Sequence, residues 1–401
     1  MQVGCYNKNA RRLDMSELSP KLAAELALDI YSIQNEKLVD VLLARQEFTG
    51  NGKQKSTLLA KTGGRTRWLH RTTDAFGICA LGGPGTIYAK DMFLIFRGTN
   101  KDKTADLITD GRIGLQPSVT GVPVHIGFNE VFKSMRSKIR DIIKECKGDI
   151  ETFHCIGHSL GGAVATLAAD WLKSETGKNV KAYTFGCPKV GLWLFAANFT
   201  RKLKKENIYR VFHATDPVPM IPMFPYIHPP TFGYGHYIFS SESILSVSAH
   251  DMDKYHTSVK NLEWSALEKR RPPYGSDAAI EEWLKSKLPV SAGTPAVYEW
   301  LNASLIFVLK KVLGVALLGL QTTIISLHSL LDRIAYILYK GIELADAVGS
   351  WIFWLMQKIM QVLGRNVPGK KEELTRTVMR ETLTLLAEQT KNEARSAITR
   401  Q

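Results

Sequence analysis

Ser159, Asp216 and a histidine downstream of both have the types and the order for nucleophilic attack on an ester. A serine hydroxyl is a poor nucleophile at neutral pH. It needs an imidazole to take its proton and a carboxylate to orient that imidazole. Ser159 stands in Gly157-His158-Ser159-Leu160-Gly161-Gly162, a full match to G-x-S-x-G. The pattern carries chemistry only when a strand enters it and a helix leaves it, because the tight turn then pushes the hydroxyl out at the sheet edge. Residues 150–156 form an apolar run of strand length, and Val164, Leu167, Ala168 and Trp171 repeat at helical spacing. The glycines leave room for neighbouring backbones. The helix start offers amides, that of Leu160 among them, to a developing oxyanion.

Residues 208–213 are rich in strand formers and end in Ala214-Thr215-Asp216-Pro217-Val218-Pro219, so Asp216 sits at a strand end in a proline-stiffened loop. His228, His236, His250 and His256 follow it. A base must come from a loop that reaches back over the nucleophile. His250, just before a helix start, fits best, and His236 in Gly233-Tyr234-Gly235-His236-Tyr237 is the alternative base. The apolar run 92–96 ends in Arg97-Gly98-Thr99. A strand end there is either a plain turn or a donor to an oxyanion hole.

These residues must be positioned by strands that alternate with helices, which implies a mainly parallel sheet with its ligand site at the carboxyl edge. The pattern predicts helices over residues 18–41 (Ser19 as cap, Pro20 in the first turn), 129–147 and 160–172. Strands are predicted around Phe76 to Ala80, at Ile87 and Tyr88, and over 92–96, 150–156, 180–185 and 208–213. Residues 51–64 read as a polar loop.

The net charge of +14 favours an anionic surface, a membrane before nucleic acid, and no nucleic-acid motif accompanies it. The five cysteines are widely spaced without a C-x-x-C pair, which speaks against a disulfide framework and against zinc. Cys155 and Cys187 lie in apolar stretches and read as buried. Residues 7–14 are polar with no apolar run after them, so the chain is expected to be made in the cytoplasm and to bypass the usual secretory route.

Six motifs in one order resemble the class 3 lipases, the fungal-lipase-like branch of the α/β-hydrolases. They are Phe96-Arg97-Gly98-Thr99, Val124-His125-Ile126-Gly127-Phe128, the Gly157–Gly162 segment, Thr184-Phe185-Gly186-Cys187-Pro188-Lys189-Val190-Gly191, the strand through Asp216-Pro217-Val218-Pro219, and His250 with Tyr255. Lys189 stands where the family usually has arginine. The resemblance runs from about Leu18 to about Leu262. It implies an α/β-hydrolase fold with Ser159 as nucleophile, Asp216 as acid, His250 as base, and Thr99 with the Leu160 amide as oxyanion hole. It places His125 near the acyl pocket. No metal or cofactor is implied. The family usually carries a lid between the R-G-[ST] and V-H-x-G-F motifs. Here that interval holds Lys101-Asp102-Lys103 and lacks the common tryptophan, so weak interfacial activation is expected.

Pro272-Pro273 marks a break, and a helix is predicted over 276–288. The division expected is a hydrolase domain, 1–289, and an apolar and amphipathic helical extension, 290–401. Residues 312–331 carry no charge and are long enough to span a bilayer, though their second half is polar. Trp351 to Met356 form a second apolar patch. The extension could meet a membrane, or pack as a soluble bundle that binds a chaperone or inhibitor protein. The function expected is lipid ester hydrolysis, with glycerophospholipid ahead of acylglycerol. By analogy the tail suggests a bacterial lipase toxin exported by a specialised secretion system. The rival is a membrane-inserting or pore-forming toxin in which the C-terminal helices carry the effect.

Overall fold

The computed structural model describes residues 16–34, 36–48, 56–62, 72–98, 114–146, 150–231, 235–240, 245–246, 248–293, 296–316 and 327–399. Among the described residues, eleven strands run in chain order: β1 Ser56–Thr62, β2 Thr72–Leu81, β3 Asp91–Phe96, β4 Leu115–Pro117, β5 Pro123–His125, β6 Thr152–His158, β7 Asn179–Phe185, β8 Gly191–Leu192, β9 Ile208–His213, β10 Tyr226–Ile227 and β11 His236–Ile238. The main sheet has the order β1-β2-β3-β6-β7-β9-β11. Its β3-β6-β7-β9-β11 part is parallel, and β1 and β2 are antiparallel to their neighbours. Every residue of β3, β6 and β9 is buried, as expected for strands covered on both faces. The small sheet β10-β8-β5-β4 holds the segments before and after the site. This is an α/β-hydrolase architecture.

Register decides what the sheet presents at its carboxyl edge. Phe96 pairs with Gly157, His158 with Phe185, Phe185 with Val211, and His213 with Ile238. The residues that follow these strand ends, Gly98, Ser159, Gly186 and Asp216, therefore gather at one edge.

The helices are α1 Pro20–Asp29, α2 Glu36–Leu43, α3 Ile126–Glu145, α4 Leu160–Thr176, α5 Trp193–Leu203, α6 Met252–Val259, α7 Trp264–Glu268, α8 Asp277–Lys285, α9 Val297–Ala316, α10 Leu327–Ile342, α11 Asp346–Val362 and α12 Arg376–Thr399. α4 is buried without interruption from Leu160 to Leu172, which its Ala- and Gly-rich sequence allows against the sheet. With α3 it closes one face, in a core that holds Phe132, Ile139, Phe153 and Trp171. α1, α6 and α7 close the other face around Tyr183, Tyr209 and Tyr255. Leu18 ties this layer down, since its amide donates to Tyr183 and its carbonyl accepts from Trp264 Nε1 at 2.7 Å. Cys155 and Cys187 are buried.

Three sequence expectations need correction. The helix predicted over 18–41 is α1, a 3₁₀ turn at Ile30–Gln34 and then α2. Ser19 caps α1 by accepting from the Leu22 amide, but the Ser32 hydroxyl donates to the Asp29 carbonyl at the tighter turn. Residues 51–64 include the edge strand β1, of which Leu58 is buried. An edge strand needs little apolar sequence, so a polar one escapes a hydrophobic pattern. Ile87 and Tyr88 lie in a turn in which the Ala89 amide donates to Thr86 and the Asp91 amide to Tyr88.

The C-terminal helices bury their apolar faces on one another. Leu305, Val308 and Val312 of α9 join Leu338 of α10, Ile352, Leu355 and Met356 of α11, and Met379 of α12 in one core. Ile352, Leu355 and Met356, from the second apolar patch, are thus buried here, while Trp351 remains partly exposed. Residues 317–326, the middle of the uncharged run, lie outside the described residues. Among those described, no helix is long and apolar enough to cross a membrane. The same core takes in Met220 and Met223 from the loop after Asp216. A further tie is Lys358 of α11, whose ammonium donates to the carbonyls of Ser286 and Leu288 at 2.7 and 2.9 Å and lies 5.4 Å from the Trp283 ring. Replacing it by methionine leaves two carbonyls without this donor. We expect Lys358→Met to lose about 1–3 kcal/mol in urea unfolding. An unchanged midpoint and slope would show that the clamp is slack.

Candidate active site

The turn between β6 and α4 puts Ser159 at φ 56° and ψ −128°, a conformation that L-residues rarely adopt. Holding it costs about 1–3 kcal/mol, which surrounding bonds must offset. The Ser159 amide donates to the Phe185 carbonyl at 2.9 Å, and the Ser159 carbonyl accepts from Gly162 at 2.9 Å. The backbones around the turn are too close for side chains. A Cβ on Gly157 would lie 2.3 Å from the Gly161 carbonyl oxygen, and one on Gly161 would lie 2.2 Å from that of Phe96.

Three side chains meet at this edge. The Ser159 Oγ lies 2.9 Å from His250 Nε2, and His250 Nδ1 lies 2.8 Å from Asp216 Oδ2. With Nδ1–H donating to the carboxylate, Nε2 is left with its lone pair toward the serine hydroxyl. Asp216 is 1% exposed and accepts two more bonds, from the Val218 amide to Oδ1 at 2.8 Å and from the Tyr255 hydroxyl to Oδ2 at 2.6 Å. Tyr255 in turn accepts from the His213 amide. Gly186 at φ 54° makes room for the pair, since a Cβ there would lie 2.8 Å from Asp216 Oδ2 and 3.0 Å from His250 Nδ1.

The backbone that carries His250 is held by two other histidines. His213 Nδ1–H donates to the Ala249 carbonyl at 2.6 Å, and His158 Nε2–H donates to the His250 carbonyl at 2.7 Å. His158 Nδ1 is then an acceptor, and the Tyr31 hydroxyl donates to it at 2.7 Å. Tyr31 itself accepts from the Gly98 backbone. Burial, with the charge of His250, holds the His158 imidazole well below its ordinary pKa and so keeps it neutral. Tyr31 and Gly186 were not singled out as site residues by sequence. Tyr31 lies 127 positions from its partner, and only the fold reports that distance.

Thr99 and residues 100–113, in the interval where the resemblance implies a lid, lie outside the described residues. Leu160 opens α4, so its amide is among the first-turn donors that no helix carbonyl can reach. His125 is buried at the start of α3, stacked on Phe128 with centroids 4.1 Å apart. Burial lowers its pKa to about 4. The alternative base, His236, sits on β11 between Tyr209 and Trp264, with centroids 6.0 and 4.9 Å away, while His250 faces the serine.

Residues 93–226 match the family described as Lipase (class 3). A secreted mono- and diacylglycerol lipase of Fusarium solani is 41% identical over 120 residues, 29% of this chain and 33% of that one. A lipase of Rhizopus niveus is 31% identical over 174 residues, 41% and 43% of the two chains. The chain thus spans less than half the length of these relatives. The crystal structure of a lipase from Rhizopus microsporus var. chinensis aligns with 56% of this chain and 74% of its own, at 27% identity and a TM-score of 0.37. Relatives named as secreted overturn the expectation of a cytoplasmic chain outside the usual secretory route. That expectation rested on residues 7–14, which lie outside the described residues.

Two outcomes follow from this geometry. Gly186→Ala forces a methyl group against the acid–base pair, and we expect kcat to fall at least about 100-fold with the fold retained by circular dichroism. Wild-type turnover in the variant would mean that the loop yields. The second concerns acid. His125 binds its proton at about 4 in the folded chain and at 6.5 when unfolded, and burial moves His158 and His228 in the same direction. In that window the unfolded chain holds more protons, so stability is full above pH 6.5 and is lost as pH falls toward 4. The His125 share is about 3 kcal/mol. Urea titrations at pH 7 and pH 4.5 check it, and a His125→Phe chain should show a shallower decline.

Proposed function

We propose, from the match of residues 93–226 to the class 3 lipase family, that this chain is a serine-dependent hydrolase of acylglycerol esters. The observation that carries the reading is the unbroken path from Ser159 Oγ through His250 to Asp216, at 2.9 and 2.8 Å. Ser159 attacks the ester carbonyl as His250 Nε2 takes its proton. Asp216 holds the imidazolium that forms. The Leu160 amide, with Thr99, receives the oxyanion. As the tetrahedral species collapses, Nε2–H protonates the leaving alcohol and an acyl-serine remains. Water attacks that ester by the same route in reverse, and the fatty acid leaves. This path uses no metal or cofactor.

Glycerophospholipid, the first expectation from charge, gives way to acylglycerol, because relatives are named as mono- and diacylglycerol lipases. The net charge of +14 supports approach to an anionic lipid–water surface. His125, neutral, stacked on Phe128 and tilted against Tyr226 at 6.0 Å, suits the wall of an acyl pocket. We further propose that residues 1–289 carry the chemistry and that residues 290–401 support it. A chaperone or inhibitor could dock on those helices. The pore-forming alternative is disfavoured, because their apolar faces are buried on each other.

The test is fatty-acid release from diacylglycerol emulsion and from phosphatidylcholine vesicles, side by side, with Ser159→Ala as control. We expect release from the emulsion, lowered at least about 1,000-fold by the substitution. Release from vesicles alone would return the phospholipid reading. Equal release by the variant would end the serine mechanism.

A further inference from the structure

A cavity of about 360 Å³ lies between the hydrolase layer and the C-terminal helices, and no residue of the Ser159–His250–Asp216 path lines it. Its size lies within the range of small-molecule sites. Lys189 and Arg210 line it and are 2% and 8% exposed. The Lys189 ammonium also donates to the Met220 carbonyl, and the Arg210 guanidinium lies 4.2 Å from the Phe212 ring centre. Lys310 and Trp193, both exposed, mark the mouth. Ile227, Ile280, Ile306 and Phe307 supply an apolar wall.

Among the described residues that line this cavity, the charges are unequal. Lys189, Arg210 and Lys310 line it together with Glu299 and Asp277. Asp277 already answers Lys311 at 3.7 Å. The Glu299 charge reaches both Lys189 and Arg210. Burial pushes the Lys189 ammonium down to about 8, Glu299 holds it up and Arg210 lowers it further. A cation taken out of water in a largely apolar chamber is stabilised by an anion that brings apolar surface with it. A dianionic phosphate would bury two charges here and leave the wall uncovered. A carboxylate on a hydrocarbon chain buries one charge and covers the wall.

We propose that this cavity is a second lipid site that binds a single-chain anionic amphiphile, a free fatty acid, with its carboxylate at Lys189 and Arg210 and its chain along the wall toward Trp193. The identification of that ligand as released product rests on the hydrolase reading above, whereas the chemistry of the site does not. Occupancy bridges Lys189, beside the loop that follows Asp216, to α9, so product would report on the packing of the helical layer.

The experiment is calorimetric titration of the full chain with decanoate after Ser159 has been blocked by an alkyl phosphonate, which fills the catalytic centre. We expect one saturable site. Ala303→Trp, which fills the cavity from α9, should weaken it at least tenfold. Lys310→Glu, an exposed change that leaves folding alone, should weaken it severalfold. Decanol and inorganic phosphate should bind far more weakly. No saturable site, equal binding of decanol, equal binding of phosphate, or indifference to both substitutions would each overturn the proposal. Failure of the phosphonate to label Ser159 counts against the hydrolase reading alone. Decanoate titration of the unlabelled chain, with and without Ala303→Trp, then still decides the cavity.

Discussion

The site depends on one constraint, the forced turn at Ser159. A φ of 56° is stable there because the backbone on either side has no freedom to relax. The Ser159 amide is held by the end of β7, and its carbonyl is held by the first turn of α4. Gly157 and Gly161 let β6, β3 and α4 approach to distances that any side chain would forbid. The strain at Ser159 is therefore offset by the strand and helix that hold it on either side. Its product is a hydroxyl at the carboxyl edge, above a helix start, with the neighbouring strand ends in register around it.

The base has no such rigid mount of its own, since it stands in a loop before α6. Its position is set by neutral donors. His213 and His158 grip the two successive carbonyls of Ala249 and His250, and Gly98 is reached in turn through Tyr31, so the loop at His250 and the strand end at residue 98 share one hydrogen-bond path. This works only while His158 stays uncharged. Burial ensures that, because the charged imidazole would lose its hydration with no carboxylate beside it among its described partners. The same low-dielectric surroundings that keep His158 neutral strengthen the bond between His250 and Asp216.

Much of this was legible in the sequence, and what was not has physical reasons. The G-x-S-x-G turn, its strand and its helix are local, since a 3.6-residue period and a run of small residues fix α4 without help. Ser159, Asp216 and His250 could be set in order because each follows a strand or precedes a helix, and the structure brings those three side chains to one edge. Tyr31 is different. It sits in a 3₁₀ turn in place of the predicted long helix, and its value lies in a partner far along the chain. The edge strand β1 was missed for a related reason: its sequence Ser56-Thr57-Leu58-Leu59-Ala60-Lys61-Thr62 does not alternate apolar with polar residues, so the hydrophobic pattern had nothing to report. Gly186 carried a visible glycine but no visible cause, because the atoms that crowd it come from Asp216 and His250.

The helical layer changes how the acid should be understood. Asp216 is fixed on one side by Tyr255 and on the other by the Val218 amide, so its loop must hold its shape. That loop runs on through Met220 and Met223, two apolar side chains that belong to the core of the C-terminal helices. The Phe224 amide donates to Asn302 of α9, and the Thr390 hydroxyl of α12 donates to Met223 Sδ. Without α9 and α12 these residues would face water on the surface of the sheet domain. Their burial instead shapes the segment that begins at the Asp216 carboxylate. The boundary expected after residue 289 is thus crossed by packing, since Met220 and Met223 on one side share a core with the helices on the other. The C-terminal helices complete the packing of the loop that follows Asp216, an arrangement that needs neither a spanning helix nor contact with Ser159.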